Sequence, residues 1–131
     1  MTASLNRDLV ERWLAGYGAA WEGRDPAQLK ALFDAEARYF ETPFAAPFQG
    51  LAAIQSYWRD AVAGQQDIRF RAELWKVDAD VAFAHWRATF KRPPNQATST
   101  LDGVFHLKFL SVESGISCVE LREWWHYAET P

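Results

Sequence analysis

A chain of 131 residues with 49% hydrophobic and 24% charged side chains has the size and balance of one globular domain with a core of its own. Its formal charge of −3, with basic residues scattered rather than massed, excludes the electrostatic footprint of a nucleic-acid binder. The single cysteine, Cys118, excludes an internal disulfide, and no apolar run approaches membrane length.

The N-terminal residues lack the basic-then-apolar pattern of a secretory leader, so the expected location is the cytoplasm. Seven Trp, nine Phe and four Tyr make up 15% of the chain, an aromatic content that serves either a compact core or the wall of a cavity.

From about Ser4 to Gly23 the apolar spacing is helical, with Val10, Leu14, Tyr17 and Trp21 on one face. Gly16 and Gly18 cost a helix on the order of 1 kcal/mol each. Their position around Tyr17 predicts close approach of another element, or room for a ligand beside that ring. Asp25-Pro26-Ala27-Gln28 is a helix start: Asp25 accepts backbone N–H groups, Pro26 needs no donor at the first position, and Gln28 reaches back. Leu29, Leu32 and Phe33 form the buried edge of that short helix.

Residues 37–42 read as a strand that Pro43 ends. The loop from Phe44 to Gln49 is apolar and is expected to fold over a pocket or against a partner. A third helix runs from about Leu51 to Ala63, with Ile54, Trp58 and Val62 inward and Gly64 as its C-terminal cap.

After Gly64 the period changes to two. Runs 68–77, 81–91, 98–110 and 116–127, joined by short polar connections, predict consecutive antiparallel strands. Helices followed by a meander make an α+β domain with the helices covering one sheet face. By alternation that face receives Ile68, Phe70, Ala72 and Leu74, then Trp86 and Phe90, then Phe105 and Leu107, then Val119, Leu121, Glu123 and Trp125.

Glu123 stands out there. A carboxylate on an apolar face is costly unless paired or protonated, so it is either a perturbed acid in a pocket or, with parity shifted by one, merely exposed. The opposite face carries His85, Arg87, Asp102, His106, Arg122, Trp124 and His126. Simple register sets Asp102 beside both Arg87 and Arg122. The three histidines share no metal-ligand spacing, so neither metal nor cofactor is expected. Trp124 among polar groups (Arg122, His126, His85) predicts a homodimer through this outer face.

Trp21, the Gly23-Arg-Asp25 turn, Leu32-Phe33, Tyr39 to Pro43, Gly50 with Ile54 and Trp58, and the closing Leu121-Arg-Glu-Trp-Trp-His126 occur in an order that resembles the nuclear transport factor 2-like folds. These include SnoaL-like cyclases and ketosteroid isomerases. The resemblance covers nearly the whole chain. It implies a conical α+β barrel of about three N-terminal helices on a curved, mostly antiparallel sheet enclosing a pocket, formed by one domain over residues 1–131.

It also implies a small hydrophobic ligand, with Trp21, Tyr39, Trp58, Trp86, Phe105 and Trp125 as lining. Tyr17 matches the oxyanion tyrosine of the isomerases. The base position falls on Glu41 or, with one extra residue, on Thr42. Phe105 takes the place of their protonated aspartic acid. The implied activity is metal-independent acid–base isomerase or cyclase chemistry on a hydrophobic carbonyl compound, through Tyr17, Glu41 and Glu123. The alternatives are a non-catalytic binder of a hydrophobic molecule and a dimerisation module.

Overall fold

The computed structural model describes residues 5–131. Helix α1 (Arg7–Glu22) is followed by a 3-10 helix (Pro26–Ala31), strand β1 (Phe33–Phe40), a two-residue strand β2 (Phe48–Gln49), helix α2 (Leu51–Val62), and strands β3 (Gln66–Asp78), β4 (Val81–Lys91), β5 (Thr98–Val112) and β6 (Gly115–Thr130).

Local chemistry sets the helix ends. The Asn6 side chain accepts the Leu9 N–H at 2.9 Å and caps α1. Asp25 accepts the Ala27 N–H at 3.1 Å, and Pro26 opens the 3-10 turn that follows. Gln28 does reach back, but to the Asp25 carboxylate rather than its backbone. Helix α2 ends at Val62 and is capped by Ala63, one residue before the expected glycine.

Phe33 belongs to the strand rather than to the edge of the short helix, because β1 spans Phe33–Phe40 and stops short of Glu41. The chain bends at Glu41 itself, so Pro43 comes too late to be the breaker.

The six strands form one sheet in the order β2-β1-β6-β5-β4-β3. Strands β3 to β6 are the expected antiparallel meander, whereas β1 lies parallel to β6, with Tyr39 opposite Leu121. The expected barrel is not formed. Closure requires the two edge strands to hydrogen-bond to each other. Here the edges are β2, only two residues long, and β3 at the far side, and they do not pair. The sheet is open, and helices rather than strand closure complete the core. Helix α1 lies against β3, and α2 lies against β1 and the 3-10 helix.

Gly18 permits the α1–β3 contact: a Cβ there would come within 2.6 Å of the Phe70 ring. Packing therefore explains that glycine. In β6 the register slips between Lys108 and Phe109 of its partner, leaving Val119 out of the pairing. This bulge reverses the side-chain alternation. Cys118 is buried in place of Val119, while Leu121 and Glu123 keep their inward positions. Ala72, also expected inward, is exposed on the edge strand.

The outer face differs from simple register as well. Asp102 pairs with Arg87 on one side and with His126, not Arg122, on the other. Its carboxylate accepts from His85 Nε2 and Arg87 Nε, both at 2.8 Å. Arg122 instead binds Glu120 at 2.6 Å.

Candidate functional site

A cavity of about 200 Å³ lies between α1, α2 and the inner face of β4–β6. Each element contributes to it by its own period. Tyr17 and Trp21 stand one turn apart on α1, Tyr57, Trp58 and Ala61 come from α2, and alternate residues Glu123, Trp125 and Tyr127 come from β6. Of the residues expected to surround a ligand, Trp21, Tyr39, Trp58, Trp86 and Trp125 line this cavity, and so do Tyr17, Glu41 and Glu123. Phe105 does not. It packs behind the wall, 5.2 Å from both the Tyr17 and Trp86 rings.

Of the two residues at the ambiguous position, Glu41 lines the cavity, whereas Thr42 lines a groove on the outer side. The Glu41 carbonyl accepts the Trp125 indole N–H at 3.2 Å, which ties the end of β1 to β6. The indole N–H of Trp86 has no hydrogen-bond acceptor among the described residues. It sits in a stack of rings, with Phe70 and Phe105 nearly parallel to it on close faces.

Three buried polar groups meet at the inner end. The Tyr17 and Tyr39 hydroxyls are 2.8 Å apart, and the Tyr39 hydroxyl also lies close to the Glu123 carboxyl. Glu123 is only 6% exposed. Burial holds its carboxyl well above the usual carboxylate range; the negative charge of Glu41 adds to this, and the nearby Tyr39 hydroxyl only partly opposes it. Glu123 is thus a neutral acid under conditions where exposed carboxyls are ionised. Burial, then the nearby Glu123, likewise pushes Tyr17 and Tyr39 far up, so both keep their protons as donors. Tyr57 is raised for the same two reasons, with a further contribution from Glu41.

Glu123 is the cross-strand partner of Phe105. The position where the isomerase pattern has a protonated acid is apolar here, and a neutral carboxyl stands beside it on the next strand. Tyr57, Gln65, Arg92 and Tyr127 also line the site, beyond the residues expected there. Tyr57 sits next to Trp58 on α2 and carried a usable signal, while Gln65 and Arg92 flank strand ends, where no periodicity speaks.

Among the described residues no group of three or more His, Cys, Asp or Glu side chains is arranged to hold a metal ion. No described helix is long and apolar enough to cross a membrane.

Helices laid over one face of an open, mostly antiparallel sheet, with an aromatic cavity between them, define a ketosteroid isomerase-like pocket protein. The chain belongs to the SnoaL-like domain family, whose model matches residues 10–115. Proteins of this family bind small molecules and carry out diverse reactions.

Solved structures support the fold. A protein from Kribbella flavida superposes with a TM-score of 0.82 at 10% identity, covering 93% of this chain and 92% of that one. A type 2 hexachlorocyclohexane dehydrochlorinase gives 0.78 at 8% identity, covering 95% and 88%. A protein of ketosteroid isomerase-like fold from Catenulispora acidiphila, in complex with trimethylamine, gives 0.71 at 14% identity, covering 92% and 86%. At these identities the likeness is one of fold. No curated protein matches the chain.

Proposed function

We propose that the cavity is the active site of a metal-independent acid–base enzyme of the isomerase or cyclase type, acting on a small hydrophobic carbonyl compound. The observation that carries this reading is the pair of carboxyl groups with opposed environments on one cavity wall. Glu123 is buried and held neutral beside Tyr39, while Glu41 lies at the half-buried end of β1, where the cavity approaches the outer groove. A carboxyl held neutral by burial and a second carboxyl nearer the opening suit complementary roles as acid and base.

Glu41 takes the proton α to the carbonyl. The charge that develops on the carbonyl oxygen is met by the Tyr17 hydroxyl and the neutral carboxyl of Glu123, with Tyr39 linking the two. Size limits the substrate. A cavity of roughly 150 Å³ accommodates benzene, so about 200 Å³ suits a single substituted ring and is too small for four fused rings.

The test is exchange of α-hydrogen for deuterium in single-ring ketones, followed by NMR. The wild type is expected to accelerate exchange, and Glu41→Gln to lower the rate about 10²–10⁴-fold. Binding without exchange in the wild type would instead make the protein a non-catalytic binder, a reading favoured by the aromatic wall. Unaltered exchange in Glu41→Gln would remove Glu41 from the mechanism.

The outer sheet face is, in the same proposal, the contact surface for a second copy. Trp75 and Trp124 are 53% and 47% exposed there, a density of apolar area unusual for a free surface. The Arg87–Asp102 and Arg122–Glu120 pairs put both signs of charge on the face, so a two-fold related copy meets opposite charges. Trp124→Asp is expected to weaken the dimer at least about tenfold in sedimentation velocity. A monomeric wild type at tens of micromolar would contradict the assignment.

A further inference from the structure

Gln65 is a polar side chain only 4% exposed, one residue before β3, and it lines the cavity. Its orientation is fixed by chemistry. The Trp21 indole can only donate, and its Nε1 lies 2.8 Å from Gln65 Oε1. The amide Nε2 is therefore the free end, and it has no partner among the described residues. The donor end is thus turned toward the cavity in one orientation, where an acceptor on a ligand can meet it.

Arg92 stands beside it. Gln66 pairs with Lys91 at the start of β3, so the next antiparallel position brings Gln65 opposite Arg92. The Arg92 guanidinium lies over the Phe90 ring at 4.9 Å, and its Nη1 is 3.9 Å from where a Cβ on Gly64 would be. It lines the cavity and has no carboxylate partner among the described residues. Arg24 adds a second cation nearby, donating to the Gln65 backbone carbonyl at 3.1 Å. This end of the cavity is thus rich in donors and positive charge.

The acid end lies elsewhere. Tyr127 follows Glu123 by four residues on β6, about 13 Å along the strand, and it pairs with Leu101. Arg92 lies further in the same direction, past the end of β4.

We infer that Gln65 and Arg92 form a carboxylate-binding subsite at the end of the cavity opposite Glu123, so that the ligand is a single-ring oxo acid held by its carboxylate. Trp21 acts as a positioning residue, since its indole N–H turns the Gln65 amide so that the donor faces inward. The subsite rests on the proposed reading of the cavity and adds the substrate's second functional group. A carboxylate matches both partners at once, as one oxygen accepts from the amide and the other from the guanidinium.

The probe pair is 3-(4-acetylphenyl)propanoate and its methyl ester, whose ketone and acid or ester group stand at opposite ends of one ring and which differ only in the charged group. Binding is read by tryptophan fluorescence and checked by calorimetry. The wild type is expected to bind the acid about tenfold or more tightly than the ester. Arg92→Gln and Gln65→Glu are expected to bring the two within about twofold of each other, chiefly by weakening the acid.

Gln65→Glu keeps the acceptor for Trp21 and replaces only the donor, while Arg92 is exposed and its variant leaves the core intact. An ester bound as tightly as the acid by the wild type, or a preference that survives in both variants, overturns the subsite and leaves the cavity reading standing. Failure of the wild type to bind either compound overturns both.

Discussion

Glu123→Gln is expected to lower turnover of a bound ketone by about 10²–10³-fold while making the protein more stable at neutral and alkaline pH. The loss of rate follows from replacing a neutral carboxylic acid by a weaker donor at the position where oxyanion charge develops. The gain in stability follows from linkage. Burial raises the Glu123 carboxyl above its ordinary value of 4.5, so between that value and its folded one the native state holds a proton that the unfolded state has released.

Stability of the wild type therefore falls as pH rises through this window, with a slope approaching about 1.4 kcal/mol per pH unit. Glutamine carries no such penalty. Thermal unfolding from pH 4 to 9 should show the two proteins converging at the acid end and separating above it. Parallel curves would mean that Glu123 has no buried neutral form.

Gly103→Ala should destabilise the fold by roughly 2–4 kcal/mol, the largest effect expected of any single methyl group in this chain. Gly103 lies in β5 between Trp86 of β4 and Trp125 of β6. A Cβ built there overlaps the backbone carbonyl oxygen of Trp124, and it comes within 2.9 Å of the Trp125 Cβ and 3.1 Å of its Cα. No rotation of a side chain relieves a clash with backbone, so β6 itself must move.

That movement falls next to Glu123, and the variant is expected to lose ligand binding along with stability. Urea denaturation should show a lower midpoint with the slope unchanged. A midpoint within experimental error of the wild type would show that β5 and β6 are not held this closely.

Glu123 and Tyr17 illustrate what was legible in the sequence. Alternation along β6 put Glu123 on the apolar face, and the 3.6-residue period of α1 put Tyr17 inward; both signals are local and both survive in the structure. The same alternation misassigned Val119, because a one-residue bulge leaves no mark in residue types. The open sheet was not legible either. Closure depends on whether β2 and β3 reach one another, a long-range matter that strand periodicity does not encode.

The pairing of β1 with β6 is of the same kind, and it brings Tyr39 to within hydrogen-bond reach of Tyr17 and close to Glu123. Gln65 and Arg92 went unplaced because each sits just outside a strand, where side-chain direction follows from three-dimensional register alone.

The proposed chemistry requires a buried carboxylic acid kept neutral in the cavity, and carboxyl-carbon NMR of Glu123 across a pH titration measures it directly. Its resonance is expected to stay in the protonated position after the exposed carboxyls have all titrated, and to be absent from Glu123→Gln. A Glu123 carboxyl that titrates together with the exposed carboxyls would contradict the acid–base reading at its source.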